Sequence, residues 1–306
     1  MPRKRLPDRD FRTLIAAERA KLAAADDRDD VIMLSISGGA ASAVAAHRAI
    51  ARWGSRVVLV FADTCSEDAD LYRFLDDCEA KFGPIVRLRQ KNDDGSDMDI
   101  WDCFDKHGIM RIPKAGNACK ASVELKQKPL DAFADKRDIQ VRAMGYGFDE
   151  PERMVRMNAR KGMTVLYPLV EEPVLSACEL LSELERIGLR PPTVYEDGFV
   201  HNNCLGAGGC ILSGLGQFAA VKRLKPKEFD YARDRSEAFF EKTGFSVLRD
   251  QRGGEVKPYT LAQLEADVEA GRDFGQDWQS NCNCMSPLFT ADQLAAFQEE
   301  KSTDQA

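Results

Sequence analysis

A run of small residues at positions 37–42 has the composition of a phosphate-binding turn. It reads Ser-Gly-Gly-Ala-Ala-Ser and directly follows the apolar run Val31–Ile36. Glycines let a backbone turn tightly and approach an anion, and the first amides of a following helix point at that anion with the positive end of the helix dipole. The alternative is an ordinary tight turn between a strand and a helix. The predicted phosphate ligands are Ser37, Gly38, Gly39 and Ser42.

The Ser37–Ser42 loop is neither of the two common nucleotide-binding loops. It lacks the Gly-Lys-Ser/Thr of a Walker A loop and the G-x-G-x-x-G of a dinucleotide fingerprint. A second apolar run, Val57–Ala62, ends in Asp63 and Thr64. In an open parallel sheet the ligand lies beyond the carboxyl ends of the strands, so Asp63 and Thr64 are predicted to contact a nucleoside.

Four cysteines form a second group of candidate ligands. Cys204 and Cys210 bound a C-x5-C loop made mostly of glycine and alanine, and Cys282 and Cys284 form a C-x-C pair much later in the chain. Four thiolates suit a [4Fe–4S] cluster or a structural zinc ion. The alternative is four unrelated thiols, two of them buried and two in a tail.

Three further residues have side chains suited to catalysis. A cysteine beside a lysine has a lowered pKa if it is partly exposed, which makes Cys119 a candidate nucleophile or redox thiol. Lys126 is a candidate phosphate contact, and Arg153 has a guanidinium that matches phosphate geometry. The alternatives are a surface helix with ordinary lysines and a charged turn that opens a helix.

The order of elements predicts the scaffold that carries these residues. Strand patterns occur at 31–36, 57–62, 85–88, 141–146 and 164–167, with helical patterns between most of them. Such alternation is typical of an α/β fold with a doubly wound parallel sheet. The chain then changes character near Pro191-Pro192. The predicted divisions are an N-terminal helical extension (1–30), a nucleotide-binding α/β domain (31–190) and a smaller C-terminal metal or cluster module that contains cysteines (191–306).

Composition limits the classes of partner. The 43 Lys and Arg residues face 50 Asp and Glu residues, a formal net charge of −7, which argues against a broad nucleic-acid footprint but leaves room for a local basic groove. No apolar stretch has membrane-spanning length and no signal peptide is evident, so a cytoplasmic location without membrane contact is expected. Nine cysteines in that compartment indicate metal ligands or reactive thiols rather than disulfides.

Together these motifs resemble the phosphoadenosine phosphosulfate (PAPS) reductase-like branch of the adenine nucleotide α-hydrolase, or PP-loop, superfamily. The resemblance covers roughly residues 30–290 and is greatest to phage and bacterial members with a His-Asn-Asn-Cys run and a terminal Cys-x-Cys. It implies a Rossmann-like five-stranded parallel sheet that binds an adenine nucleotide, ATP or PAPS, with its phosphates on the Ser37–Ser42 loop. The matching stretches are Ser37–Ser42, Phe61–Thr64 with Glu67, Cys119 with Lys126 and Pro129, Glu150 with Arg153, and Gly198–Cys204.

The resemblance implies an enzyme of sulfur-linked or nucleotidyl-transfer chemistry with an iron–sulfur cluster. Two departures from the family keep other functions open. Ala41 stands where ATP-cleaving relatives carry an aspartate, which bears on magnesium as a cofactor, and the reductases' C-terminal Glu-Cys-Gly motif is absent. The alternatives are a true PAPS or adenylylsulfate reductase and a nucleotide-sensing protein with reduced catalysis. The expected partners are a small-molecule nucleotide, a nucleic-acid or sulfur-donor acceptor, and a second copy of the chain.

Overall fold

The computed structural model describes residues 8–113, 118–160, 162–199, 202–250 and 254–274. Two of the predicted metal ligands, Cys282 and Cys284, lie outside these residues. The strands in the described residues are β1 (Ile32–Ser35), β2 (Val57–Asp63), β3 (Ile85–Arg89), β4 (Arg111–Ile112), β5 (Ala118–Cys119), β6 (Val141–Met144), β7 (Thr164–Leu166), β8 (Leu248–Asp250) and β9 (Lys257–Tyr259). The α-helices in the same residues are α1 (Asp8–Asp26), α2 (Ala40–Trp53), α3 (Ala69–Phe82), α4 (Ile100–His107), α5 (Lys128–Asp135), α6 (Pro151–Asn158), α7 (Ala177–Arg186), α8 (Leu215–Leu224), α9 (Pro226–Thr243) and α10 (Leu261–Glu269).

Five parallel strands form the central sheet in the order β3-β2-β1-β6-β7. Ile32 of β1 lies opposite Val57 of β2 and Val141 of β6. Ile32, Met33 and Leu34 are fully buried, as expected for a central strand of a parallel sheet covered on both faces. The predicted α/β class with a doubly wound, five-stranded parallel sheet is confirmed. Each predicted strand is present, and no strand end differs from the prediction by more than two residues.

The strand order identifies where a ligand crevice opens. The chain builds the sheet outward from β1 through β2 to β3, and then returns to add β6 and β7 on the other side of β1. The direction of winding therefore changes between β1 and β6. In open α/β sheets this switch point, outside the carboxyl ends of the strands, is where ligands bind. The loops that follow β1 and β6 flank it.

The buried apolar residues form one large core against the sheet, a small core on its other face and a further core away from it. The large core joins α1, α2, α3 and α7 to one face, and the small core packs Phe133 and Ala134 of α5 against Met33 and Val60. The further core, called here the second core, consists of the buried apolar residues of 98–125 and 194–264. Trp101 and Phe104 of α4 thus pack with helices that follow residue 214. The predicted division at residue 190 stays a prediction.

No helix among the described residues combines the length and the apolar character needed to cross a membrane.

Candidate functional site

The Ser37–Ser42 loop lies at the switch point. Its backbone at Gly38 has a conformation that favours glycine. Gly38 has φ of +74°, and a Cβ built on it would lie 2.5 Å from the Leu71 side chain. Gly39 is the N-cap of α2, without a side chain to cap the helix. The N-cap residue therefore provides no side-chain acceptor for the first amides of α2. A Cβ on Gly145, in the loop after β6, would lie 2.8 Å from the Ala41 carbonyl oxygen, so the two loops of the crevice touch.

Ser42 sets the shape of the loop through its hydroxyl group. Ser42 Oγ accepts hydrogen bonds from Ser37 N at 3.0 Å and Ser37 Oγ at 3.1 Å, and it donates to Gly39 O at 2.8 Å. Ser42 is buried. Because its hydrogen is used on a loop carbonyl, Ser42 holds the turn closed; its predicted contact with phosphate stays a prediction.

Two residues that were not singled out as ligands also reach the loop. The Ala40 amide donates to Tyr195 Oη at 3.2 Å, and the Asn202 side-chain amide donates to Gly38 O at 2.9 Å. Asn202 lies in the His-Asn-Asn-Cys run that carries part of the family resemblance, whereas no sequence signal marks Tyr195. Both come from more than a hundred residues beyond the loop, so only the folded chain shows their role.

Asp63, predicted to contact a nucleoside, is fully buried and is bound within the protein. Its carboxylate accepts from Tyr72 Oη at 2.8 Å, from Arg89 Nε at 2.7 Å and from Cys65 N at 2.9 Å. These contacts fix the turn that ends β2. Cys65 in that turn has φ of +53°, an uncommon conformation for a residue with a side chain. Asp63 thus orders the rim of the crevice.

Glu67 is the residue at which the separate parts of the site meet. Its side chain is 1% exposed. It accepts hydrogen bonds from Thr64 Oγ1 at 3.0 Å, from Lys126 Nζ at 3.1 Å and from the Cys204 amide at 3.1 Å. Burial is the largest single influence on the pKa of Lys126 and lowers it, but Glu67, with smaller contributions from Cys204 and Cys210, raises that pKa overall. Lys126 therefore stays protonated in an ion pair whose carboxylate is buried and whose ammonium is partly exposed.

The Cys204–Cys210 loop packs directly onto the end of β2. A Cβ on Gly206 would lie 2.1 Å from the Glu67 carbonyl oxygen, and the Ala207 amide donates to Ser66 O at 3.2 Å. On the other side, Trp101 Nε1 donates to Ala207 O at 3.1 Å. Cys204 has φ of +56°, an outlier of the kind that clusters at functional sites. The glycine-rich composition thus serves close backbone approach.

Cys119 packs against the second core, as does Cys204. Burial raises the pKa of the Cys204 thiol well above its usual value, and negative charge on Glu67, Cys210 or Cys119 raises it further. Cys119 pairs with Arg111 across the short β4–β5 ladder. Burial raises the pKa of the Cys119 thiol, although backbone hydrogen bonds from the turn that follows partly offset this. The direction of this shift is opposite to the one expected for a partly exposed cysteine beside a lysine, and the catalytic role of Cys119 stays a prediction.

Lys126 reaches Glu67 from an unusual backbone turn. Residues Ser122–Gln127 form a π-helical turn between β5 and α5. Such turns are rare and are frequent at functional sites. The turn places Lys126 within charge interaction of Cys204 and Cys210 as well as Glu67.

Arg153 is engaged by neighbours on its own loop and helix. It forms a short ion pair with Glu150, and its guanidinium carbon lies 4.0 Å from the centroid of the Tyr146 ring. Glu150 is buried, and desolvation raises its pKa to about 7 although Arg153 opposes the shift. Arg153 therefore braces the loop that adjoins Ala41; its role as a phosphate clamp stays a prediction.

The metal-ligand prediction reaches the described residues only in part. Cys204 and Cys210 lie in one loop with Cys119 nearby, but residues 8–113, 118–160, 162–199, 202–250 and 254–274 contain no group of three metal-ligating side chains in position to hold an ion. The remaining predicted ligands, Cys282 and Cys284, lie outside those ranges.

Comparison with known proteins gives similarities of fold at low identity. No protein-family model matches the chain, and no curated protein matches its sequence significantly. Among solved structures, it is similar to the PAPS reductase from Candida auris in complex with phosphate, at 13% identity and a TM-score of 0.44 over 63% of this chain and 93% of that one. It is also similar to the U34-tRNA thiolase NcsA from Methanococcus maripaludis with its [4Fe-4S] cluster, at 14% identity and a TM-score of 0.39 over 92% and 90% of the two chains. Both TM-scores are below 0.5, and the fold assignment rests on the strand order of this chain.

Proposed function

We propose that this protein is a PAPS reductase-like PP-loop enzyme that binds an adenine nucleotide and carries out sulfur-linked or nucleotidyl-transfer chemistry. The observation that carries the proposal is the position of Glu67. It joins the turn after β2, the Lys126 ammonium and the Cys204 amide at the edge of the sheet where the Ser37–Ser42 loop opens. The loop proposed to bind phosphate and a group of thiols therefore lie at the same edge of the sheet.

The Ser37–Ser42 loop supplies the electrostatics that phosphate transfer needs. In an ATP-dependent reaction an acceptor oxygen attacks the α-phosphorus, the bond from that phosphorus to the bridging oxygen breaks, and pyrophosphate leaves. The first amides of α2 and nearby cations stabilise the developing charge. Lys126 is the candidate cation, and its ion pair with buried Glu67 at 3.1 Å fixes its position. The acceptor, a nucleic acid or a sulfur donor, belongs to the same proposal.

In a reductive reaction a thiolate attacks the sulfonate sulfur of PAPS. A sulfur–sulfur bond forms, the bond from sulfur to the phosphate oxygen breaks, and adenosine bisphosphate leaves with the electron pair. Cys119 is the predicted nucleophile. Because burial raises the pKa of Cys119, a base must remove its proton before the thiolate attacks.

The cysteines near Glu67 provide the thiolate donors that an iron–sulfur cluster or a zinc ion requires. Cys204 and Cys210 would hold it with Cys282 and Cys284, and Cys119 is a further thiol within charge range of Cys204. Lys126 would offset the negative charge of bound thiolates. An iron–sulfur cluster would supply an electron- or sulfur-carrying centre when bound, whereas zinc would serve as a structural ion.

Turnover measured anaerobically with the purified protein tests the proposed reaction. With ATP and a sulfur donor we expect pyrophosphate release, and with PAPS and a thiol reductant sulfite release would assign the reductase alternative. Nucleotide affinity by calorimetry is measured on the same sample. Binding without either product would assign the nucleotide-sensing alternative, which Ala41 favours. Absence of binding to both nucleotides would overturn the proposal.

The metal centre is tested on anaerobically purified protein by its visible spectrum and by iron, sulfide and zinc analysis. We expect brown protein that loses colour and melting temperature together in Cys204→Ser and in Cys282→Ser, because metal binding contributes folding free energy. Cys178→Ser is the matched control, since Cys178 is exposed on α7. Colourless protein with one zinc ion would make the site structural. Metal-free protein whose stability is unchanged by both substitutions would exclude a shared centre.

A further inference from the structure

The space above Gly39 is surrounded by polar side-chain oxygens. A Cβ built on Gly39 would lie 3.4 Å from Tyr195 Oη, 3.6 Å from Ser37 Oγ and 4.0 Å from Asn202 Oδ1. Asn202 is only 4% exposed, and its amide nitrogen is used on Gly38 O. Its oxygen consequently faces the same space. A glycine at this position leaves a small polar cradle that any side chain would fill.

Tyr195 reaches this cradle from a well-anchored segment of the chain. The Thr193 amide donates to Asp70 Oδ2 at 2.7 Å, and Arg73 donates to the Pro191 carbonyl at 3.2 Å. Both anchors lie in the first turns of α3. The Tyr195 hydroxyl is therefore held at the first turn of α2, where it accepts the Ala40 amide hydrogen.

We propose that Tyr195 is a ligand-binding residue that donates a hydrogen bond to a phosphate oxygen on the Ser37–Ser42 loop, an inference that rests on the proposed nucleotide function. A phosphate oxygen takes over the Ala40 amide, and the Tyr195 hydroxyl turns its hydrogen toward that oxygen. A tyrosine hydroxyl can serve as acceptor in one state and as donor in the other. The segment after Pro191-Pro192, which places Tyr195 against the large sheet core, would thereby contribute directly to binding.

The sign of the effect follows from the strengths of two hydrogen bonds. Binding breaks a bond between neutral groups, from the Ala40 amide to Tyr195 Oη, and forms a bond from Tyr195 to an ionised oxygen. Hydrogen bonds to ionised groups are roughly twice as strong as those between neutral groups. The Tyr195 hydroxyl therefore strengthens binding, although it accepts the Ala40 amide hydrogen in the unliganded protein.

Calorimetric titration of Tyr195→Phe with pyrophosphate and with ATP tests this assignment. We expect both affinities to fall about tenfold relative to the wild type, as for a lost hydrogen bond to a charged group. Tyr231→Phe is the matched control, because the Tyr231 hydroxyl contacts Asp99 and lies away from the loop. The affinity of adenosine, which carries no phosphate, is expected to be the same in wild type and Tyr195→Phe, whereas general damage to the site would weaken it too.

Each other outcome contradicts the assignment in a recognisable way. Unchanged pyrophosphate affinity in Tyr195→Phe, beside normal binding by the wild type, would overturn the role of Tyr195 and leave the proposed function intact. Tighter binding would show that the hydroxyl only competes with the ligand. Failure of both wild type and variant to bind pyrophosphate and ATP would overturn the proposed function and this inference together.

Discussion

The Ser37–Ser42 loop and the Cys204–Cys210 loop are both short and rich in glycine, but different contacts hold them. The first is closed by the hydroxyl of Ser42, whose partners all lie within five residues. The second is held by the turn after β2, with the Cys204 amide on Glu67, a residue 137 positions earlier. The first loop is largely a local structure, whereas the second exists only when two distant segments have met.

The glycines of the two loops differ accordingly. The space above Gly39 is lined by side-chain oxygens. A Cβ added there would meet no atom closer than 3.4 Å and would therefore cause no severe overlap. At Gly206 the nearest atom is a backbone oxygen at 2.1 Å. The space at Gly39 is therefore available to a ligand, and the space at Gly206 is already filled by the protein. Substitutions can separate these two roles.

The largest effect is expected from Gly39→Val on ligand binding. The valine side chain would occupy the cradle, so binding of ATP and pyrophosphate should be lost while the melting temperature stays close to that of the wild type. Calorimetry and thermal unfolding measure the two quantities. Gly39→Ala, which adds only the Cβ, should give an intermediate affinity. Full affinity in both variants would remove the loop from the site.

Gly206→Ala should lower the free energy of unfolding and leave the Ser37–Ser42 loop unchanged. A Cβ against the Glu67 carbonyl forces two backbone segments apart, which costs about 3 kcal/mol of unfolding free energy. Denaturant unfolding measures it. Gly214→Ala is the control, since nothing lies within 4 Å of its Cβ and loss of a glycine N-cap costs less than about 1 kcal/mol. Equal losses of unfolding free energy in the two variants would contradict the close packing of Gly206 against Glu67.

Glu67→Gln should destabilise the protein by about 2 kcal/mol, because it leaves the partly buried Lys126 ammonium without its counter-charge. In the double variant with Lys126→Met, part of that loss should be recovered, and a double-mutant cycle measures the coupling. The control is Glu255→Gln, whose partner Lys257 is largely exposed and whose ion pair should contribute little. An additive cycle at Glu67 and Lys126 would refute their coupling.

The smallest effect is expected at Glu150, where a substitution should change how the free energy of unfolding depends on pH. Its pKa in the folded protein is raised to about 7, mainly by burial, so the folded state favours the protonated carboxyl. Its stabilising contribution is full below the ordinary glutamate pKa near 4.5 and is lost as the pH rises through about 7. Glu150→Gln should flatten stability between these values, by about 1 kcal/mol per pH unit at most. Parallel curves for wild type and variant would show that the pKa is not raised.

Sequence patterns predicted the sheet and the local loop because their causes are local. Apolar runs of four to seven residues become buried parallel strands wherever helices cover both faces, and the position of Ser37–Ser42 after β1 follows from the run before it. The same reasoning could name Lys126 and Cys204 but could not bring them together. Their meeting at Glu67 depends on the π-helical turn and on the packing of the second core.

Two residues have contacts that the sequence pattern did not reveal. Asp63 has the expected position after β2, but Tyr72 and Arg89, which the pattern did not connect with it, use both of its oxygens. Tyr195 has no motif around it, and only its 3.2 Å contact with the Ala40 amide marks it. In both cases the decisive partner comes from another element of the fold.

The second core has a consequence for synthesis of the chain on the ribosome. Trp101 and Phe104 are almost fully buried, but Phe218 and Phe229, which belong to the same core, are made more than a hundred residues later. At ordinary elongation rates that interval lasts on the order of ten seconds. During this interval the aromatic side chains of α4 cannot pack against α8 or α9. The nascent chain therefore exposes apolar surface, which favours aggregation. Slowing translation between residues 105 and 215 should therefore lower the yield of folded protein, whereas slowing it after residue 274 should not.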